Sequence, residues 1–316
     1  MKIVVSGASG FLGSWICRVL STRHEVIALV RPTSSLYRLQ GIASLKIAGV
    51  DEHGWGAYIS NVNASAWISV DWSGVSNRDR NDEAQFQNIN RLAKLCDEVS
   101  DVPIVIGTGS QAELGPSNQI IYESQADSPT TVYGEAKVQT RRLMSEKFEG
   151  TATRFVWARI FSTYGALDSN DWLMPATIDA LLAGKSMPLT RGEQEWSYLH
   201  AFDLAGAFET ALNTPSIQGI MNVGNPETVR ISDVVKEIGR ALNKSDLLGF
   251  GELEYREDQV MKLAPACESL TNAGWKPEIA LKDGVAHLIN WMNHKTDVAL
   301  RKKDGHDIFL NLPIRN

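Results

Sequence analysis

Cysteine and histidine are scarce in this sequence. Three cysteines, Cys17, Cys96 and Cys267, are spread over 316 residues. Their odd number and wide spacing argue against a disulfide framework and against a cysteine zinc site. The six histidines include no His-Glu-x-x-His pair or comparable spacing. The sequence therefore predicts no metal site.

Long apolar runs and clusters of positive charge are also missing. Gly, Arg or Asp interrupts each hydrophobic stretch well before the ~18 residues that a membrane helix needs. Lys2 is followed at once by a strand-like run, without the apolar region and small-residue cleavage site of a signal peptide. The net charge is −6, and no Lys/Arg cluster marks a nucleic-acid surface. We expect a cytoplasmic protein that binds neither membranes nor nucleic acids.

What is present is a regular alternation of strands and helices over the first half. The patterns predict strands at Lys2–Ser6, Glu25–Val30, Leu45–Ala48, Ala66–Asp71, Pro103–Thr108 and Thr153–Phe161. They predict helices at Phe11–Ser21, Asp82–Val99 and Val132–Glu146. Parallel neighbours need crossover helices, so this order predicts a doubly wound α/β fold around a parallel sheet.

After about Tyr164 the pattern loosens into short helices separated by prolines. The predicted helices are Met174–Ala183, Ser232–Leu242 and Leu281–Asn293. The length allows roughly two domains at ~150 residues each. We expect a larger domain at 1–165, rejoined by segments near 196–226, and a smaller domain formed by 166–195 and 227–316. The tail at 299–316 is expected to pack on the body as a strand or arm.

The segment from Gly7 to Gly13 follows the first strand directly and opens the first helix. Gly7 allows a tight turn, Gly10 lets backbone N–H groups approach a pyrophosphate, and Gly13 permits close packing of helix on strand. The helix N-terminus adds partial positive charge for the phosphates. In this strand–loop–helix setting the pattern predicts dinucleotide binding rather than a purely structural turn. The predicted contacts are Gly7, Ser9, Gly10, Phe11, Leu12 and Gly13.

The end of the second strand bears on the choice of dinucleotide. An acidic residue there would accept a hydrogen bond from the ribose 2′-hydroxyl of NAD, whereas an arginine accommodates the 2′-phosphate of NADP. Arg31 stands at this position, and Ser34 follows with a hydroxyl suited to phosphate. These residues favour NADP. NAD stays open if Arg31 is only a solvated turn residue or stacks on adenine.

Tyr133 and Lys137 are four residues apart and share one face of a predicted helix. A free tyrosine titrates near ~10, which makes it a poor acid–base group at neutral pH. A neighbouring ammonium, and the positive nicotinamide when the cofactor is oxidised, favour the phenolate and would bring its pKa nearer to neutrality. The pair follows the fifth strand, beside the place where a nicotinamide would lie. We therefore predict both residues as catalytic and as cofactor contacts.

Thr108 and Ser110 leave the carboxyl end of the fifth strand. Ligands of open α/β sheets bind outside these ends. Ser110 can hydrogen-bond a substrate carbonyl or hydroxyl group while Tyr133 exchanges the proton, and Thr108 is predicted as a cofactor contact. The alternative for Ser110 is that it only satisfies loop backbone. Beside the tyrosine and lysine, it is predicted as the third catalytic residue.

These features together resemble the extended short-chain dehydrogenase/reductase family, the NAD-dependent epimerase/dehydratase group that acts on sugar nucleotides. Other segments similar to the family are Asn88, Arg159–Gly165, Trp196–Asp203, Phe250–Asp258 and Gly274–Pro277. The resemblance implies a Rossmann-type domain, a nucleotide-diphosphate sugar as substrate, and a homodimer built from the helices at Asp82–Val99 and Val132–Glu146. It also implies that Arg191 and Arg256 of the smaller domain meet the substrate phosphates.

The sequence departs from the family pattern at some positions. Gln111 and Ala112 stand where sugar-nucleotide 4,6-dehydratases carry Asp-Glu, which disfavours dehydration. Ser69-Val70-Asp71-Trp72 stands where the family has His-Leu-Ala-Ala. The run Gly109–Glu113 is similar to that of bacterial 4-ketoreductases of nucleotide-linked 6-deoxyhexoses.

Three functions are compatible with these residues. The first is an NADPH-dependent reductase of a nucleotide-linked keto sugar in deoxysugar or cell-surface polysaccharide biosynthesis, with Lys137 holding the cofactor ribose. The alternative is an epimerase that oxidises and re-reduces its substrate with bound NAD⁺. The third is a non-catalytic protein that senses NADP(H). Ser110, Tyr133 and Lys137 argue against the third function, because sensing requires none of them.

Overall fold

The structure is a computed structural model, and it describes residues 1–75, 79–99, 101–256 and 259–294. The strands are β1 (Lys2–Ser6), β2 (Glu25–Val30), β3 (Lys46–Gly49), β4 (Ala66–Ser69), β5 (Ile104–Ser110), β6 (Ile120–Ile121), β7 (Arg154–Ile160), β8 (Thr163–Tyr164), β9 (Met187–Leu189), β10 (Glu195–Ser197), β11 (Leu199–His200), β12 (Gly219–Val223), β13 (Thr228–Arg230), β14 (Leu248–Phe250) and β15 (Lys262–Pro265). The helices are α1 (Phe11–Leu20), α2 (Trp55–Asn61), α3 (Gln85–Glu98), α4 (Val132–Phe148), α5 (Leu173–Leu182), α6 (Ala201–Asn213), α7 (Ile231–Ala241), α8 (Glu268–Asn272) and α9 (Leu281–His294). The tail at 299–316 lies outside the described residues.

A parallel sheet of seven strands forms the centre of the larger half, in the order β12-β7-β5-β4-β1-β2-β3. The register sets Ser6 of β1 opposite Ser69 of β4, and Ser69 opposite Gly107 of β5. The carboxyl ends of these three strands are therefore neighbours, at the edge where open α/β sheets bind ligands. The predicted doubly wound α/β fold is confirmed.

Helices cover both faces of this sheet, as parallel strands require. On one face α1 packs against α6, and Trp15, Leu204 and Phe208 share a buried core. On the other face α3 and α4 pack together over a core that contains Trp67 and Trp157. Full burial of a large apolar side chain stabilises such a fold by about 1.5–3 kcal/mol. These cores hold the strand ends, and with them the loops of the site, in fixed positions.

Part of the chain beyond the first half returns to the large sheet. Strand β12 pairs in parallel with β7, with Gly219 opposite Val156 and Val223 opposite Ile160. Helix α6, which precedes β12, packs on α1 over the sheet. Both elements lie in the segment near 196–226 that was expected to rejoin the larger domain. The residue bounds of the two domains stay a prediction.

The second half, joined by β6 of the first half, forms smaller sheets and a cluster of helices. A four-stranded sheet has the order β13-β10-β15-β6, and β9 pairs with β14. Helices α5, α7 and α9 pack around a core that includes Ile178, Val234 and Leu288. The sequence did not predict these strands. Segments of two to four residues are too short to show an alternation of apolar and polar side chains.

The predicted elements of the first half are found, with ends that differ by three residues at most. The largest difference is at α3, which was expected from Asp82 and begins at Gln85. Helix α2 was not predicted. It has only seven residues and includes Gly56, so its stability comes from packing Trp55 and Ile59 into the core rather than from helix propensity. None of the described helices has the length and apolar character needed to cross a membrane.

Candidate active site

Three loops meet at the carboxyl edge of the large sheet: the glycine loop after β1, the loop after β4, and the loop after β5. Buried amides of α3 hold the second loop in place. Asn88 accepts from the N–H and donates to the carbonyl of Ser73, both at 3.1 Å. Gln85 accepts from the indole N–H of Trp72 at 2.8 Å. The position of Trp72 is therefore fixed by side chains of α3, the helix that follows this loop in the chain.

The glycine loop has the shape of a phosphate cradle. Gly7 has a φ of 75°, and a Cβ there would lie 2.6 Å from the backbone of the loop after β4. Gly10 is the N-cap of α1 and supplies no side-chain cap, which leaves the N–H groups of the first turn, at Phe11 and Leu12, for a ligand. A Cβ at Gly13 would lie 2.4 Å from the Gly7 carbonyl oxygen. The loop therefore needs glycine for its close packing and offers donors to an anion.

A cleft of about 170 Å³ opens beside this loop, and we call it the open end of the site. The predicted cofactor residues that line it are Gly7, Ser9, Gly10, Arg31 and Ser34. More than half of the Arg31 side chain is exposed, and its guanidinium lies 3.8 Å from the Glu52 carboxylate. An uncapped helix N-terminus, a cradle without side chains and a cation at the end of β2 fit the diphosphate and adenosine parts of a dinucleotide.

An ion pair that the sequence did not predict lies at the floor of the open end. The Asp71 carboxylate accepts hydrogen bonds from Ser6 at 2.5 Å and from Ser69 at 2.7 Å, and it pairs with Arg91. The Asp71 side chain is buried, while Arg91 also lines the cleft. Because the guanidinium offsets the carboxylate charge, Asp71 does not make the cradle repulsive to phosphate.

Ser110, Tyr133 and Lys137 come together at the other end of the site, and we call these three residues the closed end. The hydroxyl groups of Ser110 and Tyr133 are hydrogen-bonded. The Lys137 ammonium lies 5.8 Å from the centre of the Tyr133 ring and donates to the Thr108 carbonyl at 2.8 Å. All three side chains are buried. The geometry joins them, and their catalytic roles stay a prediction.

Burial controls the titration of the closed end. It raises the pKa of Tyr133 above its usual value, while the hydrogen bond with Ser110 and the Arg80 guanidinium lower that pKa in part. Burial lowers the pKa of Lys137 to about 7, against the attraction of the Glu113 carboxylate. The expectation that the phenol pKa shifts toward neutrality is therefore wrong in its direction. The phenol keeps its proton at neutral pH.

The indole of Trp72 lies between the two ends. The Lys137 ammonium is 3.7 Å from the centre of the indole, and the Tyr133 ring meets it edge-on at 6.0 Å. Trp72 also lines the open end. The space bounded by Trp72, Lys137 and Met144 is too narrow for a water molecule. The sequence predicted Thr108, Tyr133 and Lys137 as cofactor contacts together with the glycine loop. The Trp72 side chain lies between these three residues and that loop.

Behind the closed end lies a buried network centred on Glu113. Its carboxylate accepts from the backbone N–H of Ser110 at 2.8 Å and from the Trp157 indole at 3.0 Å, and the Arg159 guanidinium lies 3.4 Å away. A Cβ at Gly109 would lie 2.3 Å from both the carboxylate and the indole. Glu113 thereby fixes the turn that presents Ser110. Sequence reasoning missed this role, although the Ser-x-x-Glu spacing is that of a capping box, which the structure forms.

The two arginines expected to meet substrate phosphates lie in the second half of the molecule. Arg191 lies 5.8 Å from the ring centre of Tyr255 and 3.9 Å from the Glu193 carboxylate. Arg256 follows Tyr255 directly and is exposed. Across the described ranges, neither arginine forms a hydrogen bond or an ion pair with the closed end. Their assignment to the substrate stays a prediction.

Comparisons with known proteins agree with this geometry. The model of the NAD dependent epimerase/dehydratase family matches residues 3–224. The chain is 23% identical to dTDP-4-dehydro-6-deoxyglucose reductase of Escherichia coli over 193 residues, which are 59% of this chain and 60% of that protein. It is 19% identical to CDP-abequose synthase of Salmonella muenchen over 92% of this chain and 97% of that protein.

The fold is also similar to that of solved structures. The UDP-glucuronic acid 4-epimerase of Bacillus cereus, solved in complex with NAD, superposes with a TM-score of 0.80. The match covers 95% of this chain and 99% of that protein at 19% identity. At this level of identity the likeness shows the fold.

Proposed function

The chain belongs to the NAD-dependent epimerase/dehydratase family, and from that premise we propose that it is an NAD(P)H-dependent reductase of a nucleoside-diphosphate-linked 4-keto sugar. The proposed substrate class is supported by the similarity to relatives such as the Escherichia coli reductase and CDP-abequose synthase. We further propose NADP(H) as the preferred cofactor, because Arg31 and Ser34 line the open end.

The observation that carries the reductase assignment is the burial of the Tyr133 phenol beside Ser110. Burial raises its pKa, and its hydroxyl is hydrogen-bonded to Ser110. Reduction of a ketone needs a proton donor at the carbonyl oxygen, whereas oxidation of an alcohol begins with a base. A phenol that keeps its proton at neutral pH suits the first task. This favours a reductase over an epimerase, which must oxidise its substrate first.

The residues of the site divide the reaction between them. The reduced cofactor, when bound, supplies a hydride to the keto carbon. Tyr133 donates its proton to the carbonyl oxygen, and Ser110 holds that oxygen by a hydrogen bond. Lys137 would bind the ribose of the cofactor and favour the phenolate left after proton transfer. The glycine loop would hold the diphosphate at the N-terminus of α1.

Elimination of water is disfavoured by the side chains after Ser110. Gln111 and Ala112 provide neither an acid nor a base there. The nearby carboxylate of Glu113 is fully buried and is bound by the Ser110 N–H and the Trp157 indole. It faces the protein interior rather than a substrate, so a dehydratase mechanism lacks its acid–base pair.

The substrate nucleotide is proposed to lie against the smaller domain, with Arg191 and Arg256 near its phosphates. A homodimer through α3 and α4 is proposed from the family resemblance. Light scattering of the purified chain tests the dimer, and the loss of substrate affinity in Arg256→Ala tests the phosphate contact.

The reductase assignment is tested by following NADPH and NADH oxidation against a panel of nucleotide-linked 4-keto sugars. We expect Tyr133→Phe to lower turnover by about 10²–10⁴-fold while cofactor affinity changes little. Tyr58→Phe is the matched control, because Tyr58 lies on α2, packed against the core over Trp67. Isomerisation of a nucleotide sugar without added cofactor would identify an epimerase instead. Unchanged turnover in Tyr133→Phe would refute both.

A further inference from the structure

Trp72, which borders the open end, covers Lys137 of the closed end. The ammonium is 3.7 Å from the indole centre and donates to the Thr108 carbonyl at 2.8 Å. Only 3% of Lys137 is exposed. A cation held by a carbonyl and by an aromatic face is already stabilised on two sides. A new partner that approaches from the side of the open end can reach it only if the indole moves, because the indole covers the ammonium on that side.

Of the two contacts of the Lys137 ammonium, the one with the Trp72 indole can be broken. The indole N–H donates to Gln85 at 2.8 Å, and the indole ring meets Tyr133 edge-on. The side chain is nevertheless only partly buried and borders the open cleft. The Thr108 carbonyl belongs to β5 in the middle of the sheet and has no comparable freedom. Rotation of one surface-accessible indole would therefore uncover the ammonium, whereas movement of the carbonyl would disrupt the sheet.

We propose that Trp72 is a positioning residue that sets how tightly the nicotinamide half of the cofactor is bound, separately from the adenosine half. The inference rests on the proposed function, which requires a nicotinamide and its ribose beside Tyr133 and Lys137. The indole lies against both side chains and so occupies space beside them. The adenosine and diphosphate parts face no such obstacle, because the cleft of about 170 Å³ is open between Trp72, the glycine loop and Arg31.

As a consequence, the nicotinamide half adds less to the affinity for the cofactor than it would in a site without this obstacle. Binding of this half must replace the contact between the indole and the ammonium and the hydrogen bond to Gln85. A ligand that ends at the diphosphate leaves both contacts intact. The ratio of the two affinities therefore reports the position of Trp72, and it does so without turnover.

Isothermal titration of NADPH and of adenosine 2′-phosphate-5′-diphosphate, which lacks the nicotinamide riboside, tests the proposal, with NADH and ADP as the second pair. We expect Trp72→Ala to lower the Kd of the dinucleotide by about tenfold, the equivalent of ~1.4 kcal/mol. The Kd of the fragment should change by less than about twofold, since additive effects are expected away from the substituted site.

Two further variants keep the test decisive. Trp72→Phe retains a ring of smaller size without the N–H that binds Gln85, and it should give a smaller gain in the same direction. Trp291→Phe is the matched control on α9, far along the chain from the cleft, and should leave both affinities as they are. If Trp72→Ala fails to fold, Trp72→Phe carries the comparison.

The results separate the inference from the function on which it rests. Tighter binding of the dinucleotide alone supports the proposal. A dinucleotide that binds more weakly to Trp72→Ala overturns it, because the indole would then stack on the nicotinamide rather than exclude it. Equal changes for dinucleotide and fragment overturn it as well. If neither ligand binds to any variant, the proposed function fails, and the inference fails with it.

Discussion

The open end and the closed end of the site consist of different chemical groups. At the open end, a single loop contributes backbone N–H groups and the space left by three glycines. At the closed end, Ser110, Tyr133 and Lys137 contribute buried side chains from β5 and α4. A fully buried carboxylate, Glu113, stands behind them with partners from a further strand. The open end depends on glycines, which leave space because they have no side chain. The closed end depends on polar and charged side chains that are shielded from water.

This difference determines which changes each end tolerates. Adding a single carbon to the glycine loop brings atoms into contact with backbone, which cannot move aside. Removing the carboxylate charge of Glu113, behind the closed end, leaves the buried Arg159 guanidinium without its nearest counter-charge. The loop is therefore sensitive to volume, and the closed end is sensitive to charge. Substitutions that alter only one of these properties test the contrast.

Loss of charge at Glu113 is expected to have the largest effect. Glu113→Gln removes the carboxylate that lies 3.4 Å from the Arg159 guanidinium, and both side chains are fully buried. Among the described residues, Arg159 then keeps only the Asp127 carboxylate, at 3.9 Å. We expect the free energy of unfolding to fall by about 3–5 kcal/mol, as for other broken buried pairs. The change should also lower the pKa of Tyr133 and of Lys137, because the carboxylate raises both. Urea unfolding and a phenolate absorbance titration measure the two effects.

Glu113→Asp is the matched variant, because it keeps the charge and shortens the reach. The aspartate still offsets Arg159 but is withdrawn from the backbone N–H of Ser110. We expect the free energy of unfolding to fall by about 1–2 kcal/mol, because the lost hydrogen bond leaves a buried donor without a partner. Equal destabilisation by both variants would show that geometry matters here rather than charge.

The glycine loop is expected to respond to volume. Gly7→Ala places a Cβ 2.6 Å from the backbone of the loop after β4, at a φ of 75°. We expect the free energy of unfolding to fall by about 2–4 kcal/mol, because alanine is strained in the left-handed conformation and its Cβ is forced against backbone. We also expect the variant to lose dinucleotide binding. Gly184→Ala has a φ of 69° with no atom within 4 Å of the added carbon, so it should cost only ~1 kcal/mol. Similar losses in the two variants would refute the close packing.

The glycine loop was also the part of the site that the sequence predicted best. Its residues are adjacent in the chain and follow a strand, so a local pattern carries the geometry. The same holds for Tyr133 and Lys137, whose spacing sets them on one helical face. Ser110 was found through its place at the end of a strand. Each of these inferences needs only the order of elements and the direction of the sheet.

Contacts between distant segments were not predictable in this way. Trp72 reaches Lys137 because β4 and β5 are neighbours and because α3 holds the loop between them. The direction of the Tyr133 pKa depends on burial, which a sequence does not report, and Arg80 approaches the phenol from the same β4–α3 connection that carries Trp72. The wrong expectation for the phenol came from considering a neighbouring charge without the loss of water around it.

The buried ammonium of the closed end should oppose folding. Burial lowers the pKa of Lys137 from 10.5 to about 7. Its charged form is therefore disfavoured in the folded state at every pH below 10.5, and most strongly below pH 7. We expect Lys137→Met to raise the free energy of unfolding by about 1–2 kcal/mol at pH 6, with a smaller gain toward pH 10. Turnover should fall by about 10²-fold or more.

Urea unfolding of the wild type and of Lys137→Met at pH 6, 8 and 10 measures this effect. A gain that is independent of pH would show that the methionine only improves packing. A loss of stability at pH 6 would show that the contacts of the ammonium with the Thr108 carbonyl and Trp72 outweigh its desolvation. Glu113→Gln and Lys137→Met thus change the stability in opposite directions, although each removes one buried charge, the first behind the closed end and the second within it.

The smallest expected effect is at Arg31, because its side chain is exposed and a carboxylate already faces it. The Glu52 carboxylate lies 3.8 Å from the guanidinium and competes with a 2′-phosphate for it. We expect Arg31→Ala to raise the Kd of NADPH by about tenfold and that of NADH by less than about twofold. Glu52→Gln should have the opposite effect on NADPH, since it frees the guanidinium. Equal losses of NADPH and NADH in Arg31→Ala would instead place the guanidinium against the adenine, which the two cofactors share, and would remove the basis for a preference for NADP.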